Sequence, residues 1–113
     1  MRAVLCREFG PVETLKIADV PAPAIAPGRV RVAVHAVGVN FADLLIVQGK
    51  YQEKPPLPFS PGFEVAGVVT ELGPGVEGLR LRDRIEQNSH GGDLIAFASQ
   101  VAIDAIGHRG RAE

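Results

Sequence analysis

The chain has 113 residues, a formal net charge of −1, 46% apolar residues and 22% charged ones. That length fits one domain with a modest core, the composition excludes a disordered chain, and the near-zero charge gives no electrostatic basis for binding nucleic acid or a membrane surface. The single cysteine, Cys6, excludes an internal disulfide and a four-cysteine zinc lobe. No apolar run approaches a membrane span, and the short run Ala3-Val4-Leu5-Cys6 is no signal peptide, so a cytoplasmic location is the default expectation.

Residues 2–7 read as a short strand, broken by Phe9-Gly10-Pro11 because proline cannot donate to a ladder. In residues 15–20, Leu15, Ile17 and, less cleanly, Val20 alternate with Lys16 and Asp19, which predicts a half-buried strand. Pro21, Pro23, Pro27 and Gly28 make the next segment an extended connector. Residues 29–39 give the clearest strand: Val30, Val32 and Val34 face one way and Arg29, Arg31 and His35 the other. His35 reads as a rim histidine, since no other His or Cys lies at ligand spacing from it.

Asn40 ends that strand and caps a helix that runs through Leu44, Leu45 and Val47 to a stop at Gly49. Asp43 favours the positive end of the helix dipole and reads as structural. Tyr51, the only tyrosine, follows; its ring can pack in a loop with a wet hydroxyl, or its phenol can orient or protonate a carbonyl compound. Pro55, Pro56, Pro58 and Pro61 stiffen the segment that delivers Gly62-Phe63-Glu64. Residues 65–72 read as a strand in which Gly67 permits close backbone approach or a bulge. Gly73-Pro74-Gly75 is a turn. Leu79, Leu81 and Ile85 alternate with Arg80, Arg82 and Arg84 as an amphipathic strand with a basic, solvated face.

Two stretches carry chemistry together. Gly38-Val39-Asn40-Phe41-Ala42-Asp43-Leu44, followed by Pro61-Gly62-Phe63-Glu64-Val65-Ala66-Gly67, resembles the medium-chain dehydrogenase/reductase superfamily, and within it the zinc-free quinone oxidoreductase branch. The resemblance covers roughly residues 1–85 and fades from Glu86; His90-Gly91-Gly92 and residues 100–105 echo the family's next segments. Zinc-dependent members hold catalytic zinc on a Cys at the Asn40 position and a His at the Phe63 position; a neutral amide and a phenyl ring cannot assemble that site. The resemblance implies that Asn40 lines the nicotinamide end of a cleft as well as capping its helix. It implies too that Tyr51 lines the same cleft as the candidate catalytic residue and that Phe41 and Phe63 form an apolar wall. Glu64 matches a glutamate beside the zinc of zinc enzymes; the physical expectation for a partly buried glutamate is an Arg partner. Relatives normally carry glycine before the Asp83-Arg84 pair, so Arg82 there predicts a strained turn.

The resemblance further implies a β-rich, partly open GroES-like barrel with one or two short helices over residues 1–105, then a polar tail over 106–113. Nicotinamide cofactors in this family sit on a Rossmann domain, whose glycine-rich strand–turn–helix is not found in these 113 residues; Gly73-Pro74-Gly75 precedes no helix. Three expectations stand side by side. The first is the substrate-side domain of an NADPH-dependent, zinc-free reductase of quinones or conjugated carbonyl compounds, truncated and inactive alone, binding NADPH weakly or not at all and completed by a Rossmann domain or a separate Rossmann-domain chain. The second is a non-enzymatic β-barrel binding module, and the third an inactive product of a truncated or frameshifted gene. Substrate identity, NADPH against NADH and oligomeric state stay open at this level.

Overall fold

The structure is a computed structural model and describes residues 1–88 and 98–104. A two-stranded antiparallel sheet pairs β1 (Arg2–Leu5) with β2 (Lys16–Asp19), Arg2 opposite Asp19 and Leu5 opposite Lys16. Four further strands form a second antiparallel sheet. In chain order these are β3 (Arg29–Gly38), β4 (Glu64–Leu72), β5 (Arg84–Asn88) and β6 (Gln100–Asp104), and their order in the sheet is β5-β4-β3-β6. One α-helix, α1 (Phe41–Val47), and a 3-10 turn, Val12–Thr14, are the helical elements among the described residues. Among the described residues both sheets stay open, in keeping with the partly open, strand-rich expectation. Isolated bridges between Ala3 and Ala98 and between Cys6 and Phe59 link β1 and the residue that follows it to the rest of the molecule.

The valine alternation in β3 does what its period predicts. Val30 and Val32 are fully buried and pack with Val65, Val69, Leu79, Ile85 and Val101, while His35 is exposed. Burying each such side chain contributes about 1.5–3 kcal/mol. The β3–β4 register slips twice, between Arg31 and Val32 and between Val34 and Ala36. Gly67 stands opposite Val34 in that stretch, and a Cβ there would run into the carbonyl oxygen of Ala33; only glycine lets the strands approach so closely. On the solvent side Arg31 pairs with Glu71 and donates to the Pro23 carbonyl at 2.7 Å, pinning the proline connector to the sheet.

A second core lies against α1. Cys6, Ile46, Val47, Phe59 and Phe63 are buried together, with Phe9, Leu15, Ala42 and Tyr51 packed on them. The proline segment between α1 and Phe59 contains a cis peptide at Leu57-Pro58.

Two sequence expectations need correction. In β2 one residue of the predicted apolar set faces outward: Ile17 is 66% exposed, while Leu15 packs on the second core and Val20 is half-buried. The reason is the pairing with β1, where Ala18 stands opposite the buried Ala3, so the small pair takes the inward face and Ile17 the outward one. The basic stretch 79–85 is not one strand, for β5 begins only at Arg84. A turn intervenes in which Asp83 Oδ2 accepts from the Arg80 N–H at 2.9 Å and the Asp83 N–H donates to the Arg80 carbonyl at 3.1 Å, leaving Leu81 exposed. An aspartate that bonds its own backbone neighbours competes locally with the ladder. His90-Gly91-Gly92 and the tail over 106–113 lie outside the described residues.

Candidate functional site

The candidate residues gather at one end of the β3–β4 pair. Gly38, the last residue of β3, stands opposite Glu64, the first of β4. This pairing brings the segment that starts α1 beside the segment that enters β4. Asn40 takes the N-cap position with extended backbone, φ −123° and ψ 159°. Its N–H donates to Asp43 Oδ2 at 2.7 Å, and the Asp43 N–H donates back to the Asn40 carbonyl at 3.0 Å. The helix start is thereby locked and the half-buried Asn40 held in one place.

The helix then turns an unexpected face inward. Asp43, Ile46 and Val47 are its buried residues, spaced i, i+3, i+4, whereas Phe41 is 73% and Leu44 38% exposed. Val39, just before the cap, is 80% exposed. Asn40 thus sits in a solvent-facing rim of apolar side chains. Asp43 is only 5% exposed, and its Oδ1 makes no hydrogen bond among the described residues. Burial pushes its carboxyl above the ordinary carboxylate value; the Asn40 N–H pulls against this, and the negative charge of Glu64 adds to the rise.

Phe63 is buried in the second core. Its ring meets the ring of the half-buried Tyr51 at 5.8 Å between centroids and 56° between planes, within the tilted range that aromatic pairs favour. Glu64 is half-buried and lies against Gly38, where a Cβ would collide with its carboxylate. It also lines a groove of about 530 Å³ with Gly38, Val65, Glu86 and Gln87. A second groove, of about 440 Å³, lies between β1–β2 and β3, lined by Val4, Ile17, Val34, His35 and Val37 among others. Glu64 alone of the candidate residues lines either of these two grooves.

The structure therefore brings Tyr51 and Phe63 into contact, and it places Asn40 and Glu64 at the paired ends of β3 and β4. Phe41 faces solvent rather than the core. Sequence reasoning missed the burial of Asp43. The Asn40-x-x-Asp43 spacing signals a helix start, but nothing in it says that the carboxylate goes inward. The donor set does not fit zinc: a buried phenyl ring has no lone pair to give, and a neutral amide is a poor ligand. Among the described residues no group of three or more His, Cys, Asp or Glu is placed to hold a metal. No helix among them is long and apolar enough to cross a membrane.

An open antiparallel sheet, joined through a capped helix to a Pro-Gly-Phe-Glu turn, is the architecture of an alcohol dehydrogenase GroES-like domain. Residues 26–104 match the alcohol dehydrogenase GroES-like domain. The chain belongs to that family and groups with its quinone oxidoreductase-like members in the medium-chain dehydrogenase/reductase superfamily. It is 49% identical over 84 residues to quinone oxidoreductase-like protein 2 of Rattus norvegicus, covering 74% of this chain and 23% of the relative. Human synaptic vesicle membrane protein VAT-1 homolog-like protein superposes with a TM-score of 0.91 at 31% identity, over 100% of this chain and 36% of that one. Escherichia coli quinone oxidoreductase, solved with NADPH, gives a TM-score of 0.87 at 29% identity, over 97% of this chain and 33% of that one. The chain spans about a quarter of the length of the curated relatives it matches.

Proposed function

We propose that this chain is the substrate-side domain of an NADPH-dependent, zinc-free oxidoreductase acting on quinones or conjugated enones. The observation that carries the reading is the rim around Asn40. An amide side chain on a backbone fixed at a helix start, with exposed Val39, Phe41 and Leu44 beside it in the chain, offers hydrogen bonds at its centre and apolar surface around it. A nicotinamide ring and a planar quinone both ask for that combination. NADPH, when bound, supplies the hydride. Asn40 holds the carboxamide end of the nicotinamide or the substrate oxygen. Tyr51, with its ring backed by Phe63, directs its hydroxyl at the substrate carbonyl and stabilises charge as it develops there. Phe41 forms the apolar wall that excludes water. Where zinc enzymes polarise the carbonyl with a metal, hydrogen bonds from these side chains take that part. Glu64 is assigned to holding the rim in shape, packed against Gly38, rather than to the chemistry.

A nucleotide-binding domain, in the same polypeptide or on a second chain, completes the site, and residues 1–105 form the unit that meets it. The test has two parts. The 113-residue chain titrated with NADPH should bind with a Kd weaker than about 1 mM. Fused to the nucleotide-binding domain of a quinone oxidoreductase relative, it should oxidise NADPH in the presence of a benzoquinone, insensitive to chelators. In that fusion Tyr51→Phe should lower kcat/KM by about 10²-fold. Tight NADPH binding by the chain alone, or a folded fusion inert towards quinones and enones alike, would overturn the proposal.

A further inference from the structure

Tyr51 leaves α1 through a helix end that fixes the backbone and nothing beyond it. Gly49 adopts φ +71°, its N–H donates to the Ile46 carbonyl at 3.2 Å, and the Lys50 N–H donates to the Leu45 carbonyl at 2.9 Å. After Tyr51 come exposed Gln52, Glu53 and Lys54 and no regular element before Phe59. A half-buried phenol in such a place has several staggered rotamers open to it. The ring of Phe63 stands against that freedom. Phe63 is itself held firmly. It follows buried Pro61 and a Gly62 at φ +127°, and its side chain is buried with Cys6, Ile46, Val47 and Phe59. The ring pair also joins the two motif segments, one leaving α1 and one entering β4.

We infer that Phe63 is a positioning residue for Tyr51, its buried ring holding the phenol in one rotamer so that the hydroxyl is presented in a fixed direction. This rests on the reading of Tyr51 as a cleft residue, but the support itself is measurable without turnover. The position where zinc-dependent relatives keep a metal ligand thereby becomes, in this chain, a mechanical support for the group that replaces the metal's pull on the carbonyl. A tilted ring pair of this kind favours the docked rotamer by a few-fold to about tenfold, so its loss is visible as disorder of the phenol rather than as loss of the fold.

The chain has one tyrosine and no tryptophan, so its emission on excitation beyond the phenylalanine absorption band reports Tyr51 alone. In F63L, which keeps apolar volume in the core, the fast-decaying fraction of the tyrosine anisotropy should rise at least about twofold. L79A serves as the control. Leu79 is buried in the first core, away from the cluster that holds Phe63 and Tyr51, and its truncation should leave the decay near that of the unmutated chain. No change in F63L, or an equal change in L79A, would overturn the inference. Should F63L fail to fold, the unmutated chain answers by NMR. Tyr51–Phe63 ring NOEs with χ1 couplings of a single rotamer support the inference, and rotamer-averaged couplings overturn it. If the anisotropy result holds while Tyr51→Phe leaves quinone reduction by the fusion unchanged, the proposed function fails and the ring support stands.

Discussion

Arg82 stands at φ +73°, in the left-handed region that costs a residue with a Cβ about 1–2 kcal/mol. It is held there from several sides. Its N–H donates to the Val69 carbonyl at 2.8 Å, the Val69 N–H donates to the Asp83 carbonyl at 2.9 Å, and Asp83 closes the turn on Arg80. The side chain is exposed and its replacement leaves no cavity. R82G should therefore raise stability by about 0.5–1 kcal/mol, the relief of strain exceeding the entropy glycine adds to the unfolded chain. Urea melts should show a higher midpoint with an unchanged slope; an unchanged or lower midpoint would remove the strain argument. This position was legible from sequence because the family resemblance implies glycine before the Asp83-Arg84 pair, and the positive φ is there although the residue is Arg82. The rotamer and surroundings of Tyr51 were not legible. They depend on Phe63, which is twelve positions away in sequence and reaches the ring only through the fold.

At the scale of elements, β3 and β4 were readable because a period of two on a buried face leaves little freedom of register. Their close crossing at Gly67 was readable because glycine inside a strand has few other reasons to be there. The helix was readable in extent, from its Asn40 cap to Gly49, but not in orientation. Phe41, Leu44 and Leu45 make a more apolar stripe than Asp43, Ile46 and Val47, yet Asp43, Ile46 and Val47 are the buried set. The Asn40 N–H bond to Asp43 Oδ2 and the packing of Ile46 and Val47 on Phe59 and Phe63 decide the rotation, and neither is visible in a hydrophobicity count. Turning a carboxylate inward has a pH signature. Burial raises the Asp43 carboxyl above its ordinary value of 3.8. An acid with a raised pKa in the folded state favours folding while protonated, and that contribution is lost as pH rises through the raised value. Asn at position 43 can still accept the Asn40 N–H and carries no charge. The unmutated chain should thus lose stability relative to D43N as pH goes from about 3.8 to neutral. Urea midpoints of both proteins across that interval measure the gap; a gap independent of pH would mean that Asp43 does not titrate as a buried group.

For the whole molecule the telling feature is which apolar surface stays uncovered. Val37, Val39, Phe41 and Leu44 are 37%, 80%, 73% and 38% exposed and follow one another through the end of β3 and the start of α1. Scattered exposed apolar residues are ordinary, but four within the eight positions 37–44, a phenylalanine among them, concentrate apolar exposure on one short segment. The family supplies a motive, because this chain spans about a quarter of its matched relatives, and the rim is where the proposed nucleotide-binding half would close. Left open, it should drive weak self-association. Sedimentation velocity over rising concentration should show the chain moving towards faster species. A V39K/F41K double variant should stay monomeric, with a stability within about 0.5 kcal/mol of the parent because the altered side chains are largely outside the core. The comparison separates two causes of aggregation. If the double variant still associates, the edges of the open sheets rather than the rim are responsible. If the parent is monomeric throughout, the rim needs no cover, and the physical motive for docking a second domain against Asn40 is lost.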